Sequence, residues 1–316
     1  MSLFDTLIVQ PIFNLLALIY GLLPGSDFGI SLILFTIIVR LLMWPLVRKQ
    51  LHQTKLIRAL QPELKKIKSK AKGNKQQEAQ LMMELYRERG VKPFSSIGLL
   101  LLQLPIFIAL YSVIQIITTN RDEIAAFTYQ WVEQLQPIAT IINNRDHSFD
   151  TTLLGLVDLA KIGLSNEGLY WPAILIAVLA AGLQYVQSRQ ITPRPETNKK
   201  LRDIFKESAA GKDVDQSEMS AIMSHRMIVM FPFITFIVGI YLPGALVLYF
   251  ATSSAVAVIQ QYFLLKEDVE EMEVVADMVT GNVKKTSTAT KKRAANATEA
   301  TITSSPKKAK KKKRRR

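Results

Sequence analysis

Long apolar segments that almost lack charged residues dominate the first 265 positions of the chain. Four such segments occur, at residues 28–47, 94–117, 169–187 and 227–265. The only charge in them is that of Arg40, and the last segment is interrupted by Pro243-Gly244. A helix needs about 20 apolar residues to cross the hydrocarbon core of a bilayer, so the last segment is long enough for two helices. The pattern therefore predicts five transmembrane helices, with buried helices of a large soluble protein as the alternative.

The pattern of apolar and polar segments divides the chain into ten parts. These are an outer interfacial helix (1–27), span 1 (28–48), a cytoplasmic helical hairpin (49–92), span 2 (93–117), an outer loop with an amphipathic helix (118–168), span 3 (169–188), a cytoplasmic loop (189–226), span 4 (227–242), span 5 (243–265) and a basic, disordered cytoplasmic tail (266–316). Residues 3–23 are apolar enough to be a sixth span. Because Asp5, Gln10, Pro11 and Asn14 interrupt them, we expect a helix in the membrane interface instead.

The distribution of Lys and Arg predicts the orientation in the membrane. Residues 48–92 contain thirteen, residues 118–168 contain three, residues 188–226 contain eight and the tail contains fifteen. Cytoplasmic loops carry the excess of basic residues, so the N-terminus is predicted outside and the C-terminus inside. The first 27 residues contain neither Lys nor Arg, which agrees with this orientation and gives no basic start for a cleavable signal peptide.

Two polar segments have helical periodicity. In the first, Leu51, Ile57, Leu60, Leu64 and Ile67 line one side of a basic helix, and Leu81, Met82 and Leu85 mark a returning helix after the turn at residues 72–75. We interpret this as a hairpin, with helices lying flat on anionic lipid as the alternative. In the second, apolar residues recur every three or four positions from Ile124 to Ile142, which predicts an amphipathic outer helix.

Composition limits the chemistry that the chain can perform. It has no cysteine and three widely separated histidines, so disulfides, thiolate sites and a His-rich metal site are not expected. No nucleotide-binding or hydrolase motif occurs, and we predict neither a cofactor nor an enzymatic activity.

The formal net charge of +14 indicates an anionic partner. Nine of the last ten residues are basic: Lys307, Lys308, Lys310, Lys311, Lys312, Lys313, Arg314, Arg315 and Arg316. We predict that they bind ribosomal RNA or anionic lipid, and that binding weakens steeply with salt. A nuclear localisation signal is an alternative that fits a membrane protein poorly.

Arg40 is the most informative single residue. It lies about 18 Å into span 1 at 1.5 Å per residue, where a charge in lipid is costly. The predicted spans 28–48, 93–117, 169–188, 227–242 and 243–265 contain no Asp or Glu that could pair with it. Either the side chain extends to the inner headgroups or it faces a polar groove between helices. The polar residues that we predict to line the groove are Thr36, Gln103, Gln184, Tyr249, Thr252 and Ser253.

Several motifs resemble the YidC family of membrane-protein insertases. They are IIVRLLMWPL at 37–46, LQPELKKIKSK at 60–70, QLPIFIALY at 103–111, and LPGALVLYF with IQQY at 242–262. The resemblance covers about residues 1–265 and implies an all-α polytopic fold, with five helices around a groove open to the cytoplasm and an arginine inside it. That position matches Arg40. The chain departs from the family at Phe250, Ser254 and the order Pro243-Gly244-Ala245, which puts polar roles at Phe250 and Ser254 in doubt.

The resemblance implies an insertase of the bacterial plasma membrane that acts on nascent membrane proteins. We expect the groove to admit a hydrophilic substrate segment, the apolar helix to enter lipid, and the tail to bind the ribosome. Cooperation with a Sec translocon, the identity of the substrates and the oligomeric state are left open by the sequence. A small anion transporter or channel and a membrane tether for ribosomes are the alternatives.

Overall fold

A computed structural model describes residues 2–71, 74–91, 95–144, 147–166, 168–191 and 230–280. A π-helical stretch, Asp5–Val9, leads directly into the first α-helix, and a short 3-10 helix, Arg121–Glu123, follows the sixth. The α-helices are α1 Gln10–Leu22, α2 Phe28–Leu42, α3 Trp44–Ala59, α4 Gln61–Ala71, α5 Lys75–Glu88, α6 Ser95–Thr118, α7 Ile124–Phe127, α8 Gln130–Glu133, α9 Gln136–Asn143, α10 Trp171–Ile191, α11 Met230–Gly239 and α12 Gly244–Thr280. The strands are β1 Thr152–Leu153, β2 Val157–Asp158, β3 Leu164–Ser165 and β4 Gly168–Leu169.

Several helices are long and apolar enough to cross a membrane. Three of them are unbroken, namely Asp5–Leu22, Trp171–Ile191 and Gly244–Lys266, and two further candidates are bent pairs of helices. The result agrees with a polytopic helical membrane protein. Because Asp5–Leu22 also qualifies by length and composition, the interfacial placement of residues 3–23 stays a prediction.

The predicted first span is broken near its end. Helix α2 ends at Leu42, and α3 begins at Trp44 at an angle of 59° to it. Pro45 explains the break, because its ring clashes with the carbonyl four residues earlier and it has no N–H to donate. Within the predicted span 28–48, the helix therefore bends three residues after Arg40.

The main hydrophobic core joins α1, α2, α6 and the beginning of α12 to the segment that follows α6. Its largest fully buried side chains are Phe13, Phe28, Phe35, Leu110, Ile138, Leu159 and Tyr249. Large apolar side chains on other helix faces are exposed, including Leu42, Ile108, Leu175 and Phe233. A soluble protein would bury such side chains, whereas a helix in lipid exposes them to acyl chains.

The segment predicted as a basic hairpin contains two helices, α4 and α5, with a small core of their own. Leu60, Leu64, Leu85 and Val91 are buried together. The Asn74 side chain accepts hydrogen bonds from the backbone of Gln76 and Gln77 at the start of α5, at 3.1 and 3.2 Å, which is a typical N-cap. Residues 72–73 of the predicted turn lie outside the described residues.

The segment that follows α6 differs from the single amphipathic helix predicted there. It forms three short helices, α7, α8 and α9, and two small antiparallel hairpins, β1–β2 and β3–β4. Pro137 in the first turn of α9 forces a new helix start. Val132 is buried, while its neighbour Trp131 is 54% exposed, so the predicted apolar face is interrupted at this point.

The chain forms two compact units, Met1–Gln260 and Gln261–Arg316. Within the second unit, α12 continues as far as Thr280, so the prediction of a disordered tail is wrong for residues 266–280. The predicted cytoplasmic loop beyond residue 191, the first residues of span 4 and the tail from residue 281 lie outside the described residues.

Candidate functional site around Arg40

Arg40 occupies the last turn of α2, three residues before the bend. The carbonyl groups at the C-terminal end of a helix carry a partial negative charge, which favours a cation at this position. The side chain is half-buried between helices. The helix end therefore offers Arg40 a local electrostatic stabilisation that a mid-helix position would lack.

A serine of the last helix holds the guanidinium. Arg40 Nε donates to Ser253 Oγ at 2.7 Å, and Nη2 of the same guanidinium also donates to this hydroxyl. Ser253 is buried, and within the described part of the chain no carboxylate contacts Arg40. The guanidinium is thus hydrogen-bonded by a neutral group and keeps its formal charge uncompensated there.

A second contact attaches the backbone of Arg40 to the same helix. Gln260 Nε2 donates to the Arg40 carbonyl at 3.0 Å, and Gln260 is buried. Sequence reasoning did not include Gln260 in the site. Its position gave a signal, because Tyr249, Ser253 and Gln260 are four and seven residues apart and so share one face of α12.

Two further predicted residues meet close to this pair. Gln103 Nε2 of α6 donates to the hydroxyl of Tyr249, which is 2% exposed. The rings of Phe107 and Phe250, four and one residues further along these helices, stack with centroids 5.4 Å apart. The structure therefore brings Arg40, Gln103, Tyr249 and Ser253 together from α2, α6 and α12.

The other predicted groove residues are placed differently. Thr36 is fully buried and its hydroxyl donates to the Leu32 carbonyl of its own helix at 2.6 Å. Thr252 is half-buried on α12 next to Ser253. Gln184 lies on α10, and its Oε1 is buried without a hydrogen-bond partner among the described residues. Gln260 Oε1 is also buried without a hydrogen-bond partner among the described residues, so each glutamine has a side-chain oxygen that could still accept a hydrogen bond.

The nine basic residues of the predicted anion-binding tail, 307–316, lie outside the described residues. Among the residues that the structure does describe, no group of three or more His, Cys, Asp or Glu side chains could hold a metal ion. The polar groups that meet around Arg40 are thus one guanidinium, the hydroxyls of Tyr249 and Ser253, and the amides of Gln103 and Gln260.

These features define a class: a polytopic helical membrane protein in which an arginine is held by neutral polar groups between apolar helices. A family model described as "60Kd inner membrane protein" matches residues 19–271. The chain belongs to this family, which confirms the resemblance to YidC proteins. Together with the apolar helices, the family indicates a multi-pass protein of the bacterial inner membrane.

Curated relatives agree with this assignment. The chain is 28% identical over 264 residues to the membrane protein insertase YidC of Streptomyces avermitilis, which covers 79% of this chain and 55% of the relative. It is 27% identical over 242 residues to the YidC of Fusobacterium nucleatum, covering 77% of this chain and 88% of the relative. It is 28% identical over 261 residues to the YidC of Rickettsia akari, and the match covers 82% of this chain and 39% of the relative. The chain thus spans about half or less of two of these three proteins.

Proposed function

We propose that the protein is a membrane-protein insertase whose Arg40 site receives the hydrophilic segment of a nascent membrane protein. The curated relatives described above are named membrane protein insertases. The observation that carries the proposal is the bond from Arg40 to the neutral Ser253 hydroxyl, without a carboxylate from the described residues. An arginine in this state attracts an acidic or polar segment that would otherwise lose its hydration in hydrocarbon.

The proposed mechanism has two stages. The hydrophilic segment enters from the cytoplasm and exchanges part of its hydration for hydrogen bonds to Arg40, Gln103, Tyr249 and Ser253. The apolar helix of the substrate then moves into lipid along the exposed apolar faces of α10 and α12, and burial of its apolar surface drives this step. In this proposal Gln184 and Thr252 line the same cytoplasm-open groove, with the N-terminus of the protein outside the membrane and its C-terminus inside. Thr36 does not line it, because its side chain is fully buried and bonded within α2.

The test is insertion into proteoliposomes by purified variants. We expect Arg40→Ala and Arg40→Glu to reduce insertion of substrates with acidic N-terminal segments by at least tenfold, while Arg40→Lys retains an intermediate rate because a compact ammonium keeps the charge but loses the fork geometry. The matched control is Arg48→Ala, which removes a basic residue from α3, outside the proposed groove. Parental insertion rates with both Arg40→Ala and Arg40→Glu would contradict the mechanism.

The same assay separates the alternative functions. A ribosome tether would insert nothing by itself and would keep ribosome binding in the Arg40 variants. An anion transporter would show Arg40-dependent flux of a small anion into protein-containing vesicles without any substrate protein. Insertion that depends on Arg40 without such flux is the result that the proposal requires.

We also propose that the tail docks the ribosome through the basic residues 307–316, and that anionic lipid is a competing partner. Deletion of these residues is expected to reduce cosedimentation with ribosomes at low salt and to flatten the steep salt dependence of binding. Replacing the same residues by an equally long Gly-Ser sequence controls for length. Unchanged binding after both changes would contradict the docking role.

A further inference from the structure

The tip of the β1–β2 hairpin exposes two large apolar side chains. Leu154 is 64% exposed and Leu156 is 81% exposed. The hairpin is uncharged from Thr151 to Val157. The acidic residues stand at its base, where Asp150 accepts from the backbone of Thr152 and Asp158 accepts from that of Ala160, both at 3.0 Å.

The turn holds Leu154 in a backbone conformation that does not favour leucine. Leu153 and Val157 are paired across the hairpin, and Leu156 N donates to Leu153 O at 3.0 Å. Leu154 and Gly155 have φ angles of 55° and 67°. Two-residue hairpin turns in which both central residues have a positive φ normally use Asn, Asp or Gly at the first of these positions. An exposed leucine there gains nothing from the folded protein itself, which points to an interaction outside the chain.

The hairpin is fixed at the N-terminal end of a predicted membrane helix. The Asp27 carboxylate caps α2 by accepting from Ile30 N at 2.7 Å, and it also accepts from Leu154 N at the hairpin tip. Gly29 lets the two segments touch, since a Cβ at this position would lie 2.8 Å from the Leu153 Cα. The tip is therefore held at the level where α2 begins.

A second contact ties the same hairpin to the start of α10, another candidate span. Asp158 N donates to the Tyr170 hydroxyl at 2.8 Å. Tyr170 immediately precedes Trp171, the first residue of α10. Trp171 is 64% exposed and the preceding Leu169 is 56% exposed. Tryptophan at the end of a membrane helix is typical of the interface between headgroups and acyl chains.

We propose that Leu154 and Leu156 insert into the lipid leaflet at this end of α2 and α10, so that the hairpin tip is an interfacial membrane anchor. The occupant is lipid because the tip continues the boundary marked by the α2 N-cap and Trp171, where apolar side chains meet acyl chains. This anchor is separate from the Arg40 site and does not depend on the proposed insertase activity.

The second hairpin supplies a matched control on the same segment. The connection between β3 and β4 carries the exposed polar residue Asn166 instead of leucines. Because the chain has no cysteine, Leu154→Cys, Leu156→Cys and Asn166→Cys each give a uniquely labelled protein without further changes. Each is labelled with an environment-sensitive NBD fluorophore and reconstituted into phosphatidylcholine vesicles.

We expect blue-shifted emission at positions 154 and 156 and several-fold stronger quenching by lipids that carry a spin label on the acyl chain than at position 166. Aqueous iodide should show the opposite order. Equal quenching at all three positions would overturn the proposal. Blue-shifted emission without lipid quenching would also overturn it, because a protein surface would then cover the tip.

A further variant separates anchoring from folding. Leu154→Asn suits the left-handed backbone, so its melting temperature in detergent should be equal to or above that of the parent. The proposal nevertheless requires weaker lipid quenching of a label at position 156 in this variant. Unchanged quenching together with unchanged stability would contradict a role for Leu154 in lipid.

Discussion

The segment that follows α6 and the hairpin of α4 and α5 are both polar interruptions between apolar helices, but they are packed in different ways. Residues from Ile124 to Leu159 contribute to the same core as α1, α2 and α6. The hairpin instead buries Leu60, Leu64, Leu85 and Val91 in a small core of its own. The comparison indicates that the first segment unfolds with the helix bundle, whereas the hairpin is able to open alone.

Hydrogen bonds strengthen the same contrast. The buried Asn14 of α1 donates to the Phe127 carbonyl and accepts from Tyr129 N, each at 2.7 Å. A polar contact within the hairpin joins Glu63 of α4 to Arg89, the residue that follows α5, at 2.9 Å, and both side chains are well exposed. An exposed ion pair contributes little, about 0–1 kcal/mol.

The largest expected effect comes from Asn14. Replacing it by Leu leaves the buried Phe127 carbonyl and the part-buried Tyr129 N–H without their partner, which costs about 2–6 kcal/mol in total for the two groups. We expect a clear loss of thermal stability of the whole bundle in detergent. The control is Asn74→Ala, which removes the N-cap of α5, costs about 1 kcal/mol and should affect the hairpin only. Equal effects of the two variants on the melting temperature would contradict the contrast.

Gly29 tests the close approach of the following segment to α2. In Gly29→Ala the new Cβ would lie 2.5 to 2.8 Å from atoms of Leu153, including its backbone. The overpacking is expected to cost about 1–3 kcal/mol, measured by chemical denaturation in detergent. Gly182→Ala is the matched control, because among the described residues no atom beyond its own helix turn lies within 4 Å of the added Cβ. Alanine at this helical position should stabilise the protein by about 0.5–1 kcal/mol. A destabilised Gly182→Ala together with a neutral Gly29→Ala would contradict the close packing of Leu153 against Gly29.

Leu64 tests whether the hairpin opens by itself. Leu64→Ala is expected to destabilise the hairpin by about 2 kcal/mol through the lost apolar contacts. Trypsin should then cleave at the hairpin lysines at least tenfold faster, while the main thermal transition stays in place. Met83→Ala removes a side chain that is 57% exposed on α5 and serves as the control. A shifted main transition in Leu64→Ala would show that the two cores are coupled.

The smallest effect concerns alkaline pH. Burial raises the pKa of Tyr86 above its usual value. Its contribution to hairpin stability is fully present below the usual pKa of about 10, and it falls as the pH rises through the higher pKa of the folded state. Trypsin sensitivity of the hairpin should therefore rise more steeply between about pH 9 and 11 in the parent than in Tyr86→Phe. Identical pH profiles would contradict the burial of this hydroxyl.

The sequence predicts the parts of this fold that depend on local patterns. Charge-free runs identify the long apolar helices, and the periodic leucines identify α4 and α5, because burial in each case repeats along one helix. The strands β1 to β4 escape such reasoning, since each has only two residues and no period can be seen over that length. Pro45 is a sequence signal for the bend after Leu42, but the apolar segment continues through this proline and therefore suggests one helix.

The candidate site shows a similar division. Arg40 is identifiable because a charge in an apolar run is rare. Its partner is predicted only as one member of a set of polar residues that includes Ser253, since Ser253 is 213 positions away and several hydroxyls on α12 are equivalent by sequence. Thr36 is the opposite case, because it is predicted to line the groove but its hydroxyl donates a hydrogen bond to the Leu32 carbonyl within α2. Which polar side chains face Arg40 depends on helix rotation, which residue spacing alone does not specify.

The double attachment of Arg40 to α12 has a consequence for the position of the positive charge. Ser253 holds the guanidinium and Gln260 holds the carbonyl of the same residue, about two helical turns apart on one face. A sliding motion of α12 relative to α2 must therefore either carry the charge along the membrane normal or break both bonds. The depth at which an incoming anionic group would meet its counter-charge is thus set by the last helix, although the arginine itself belongs to an earlier one.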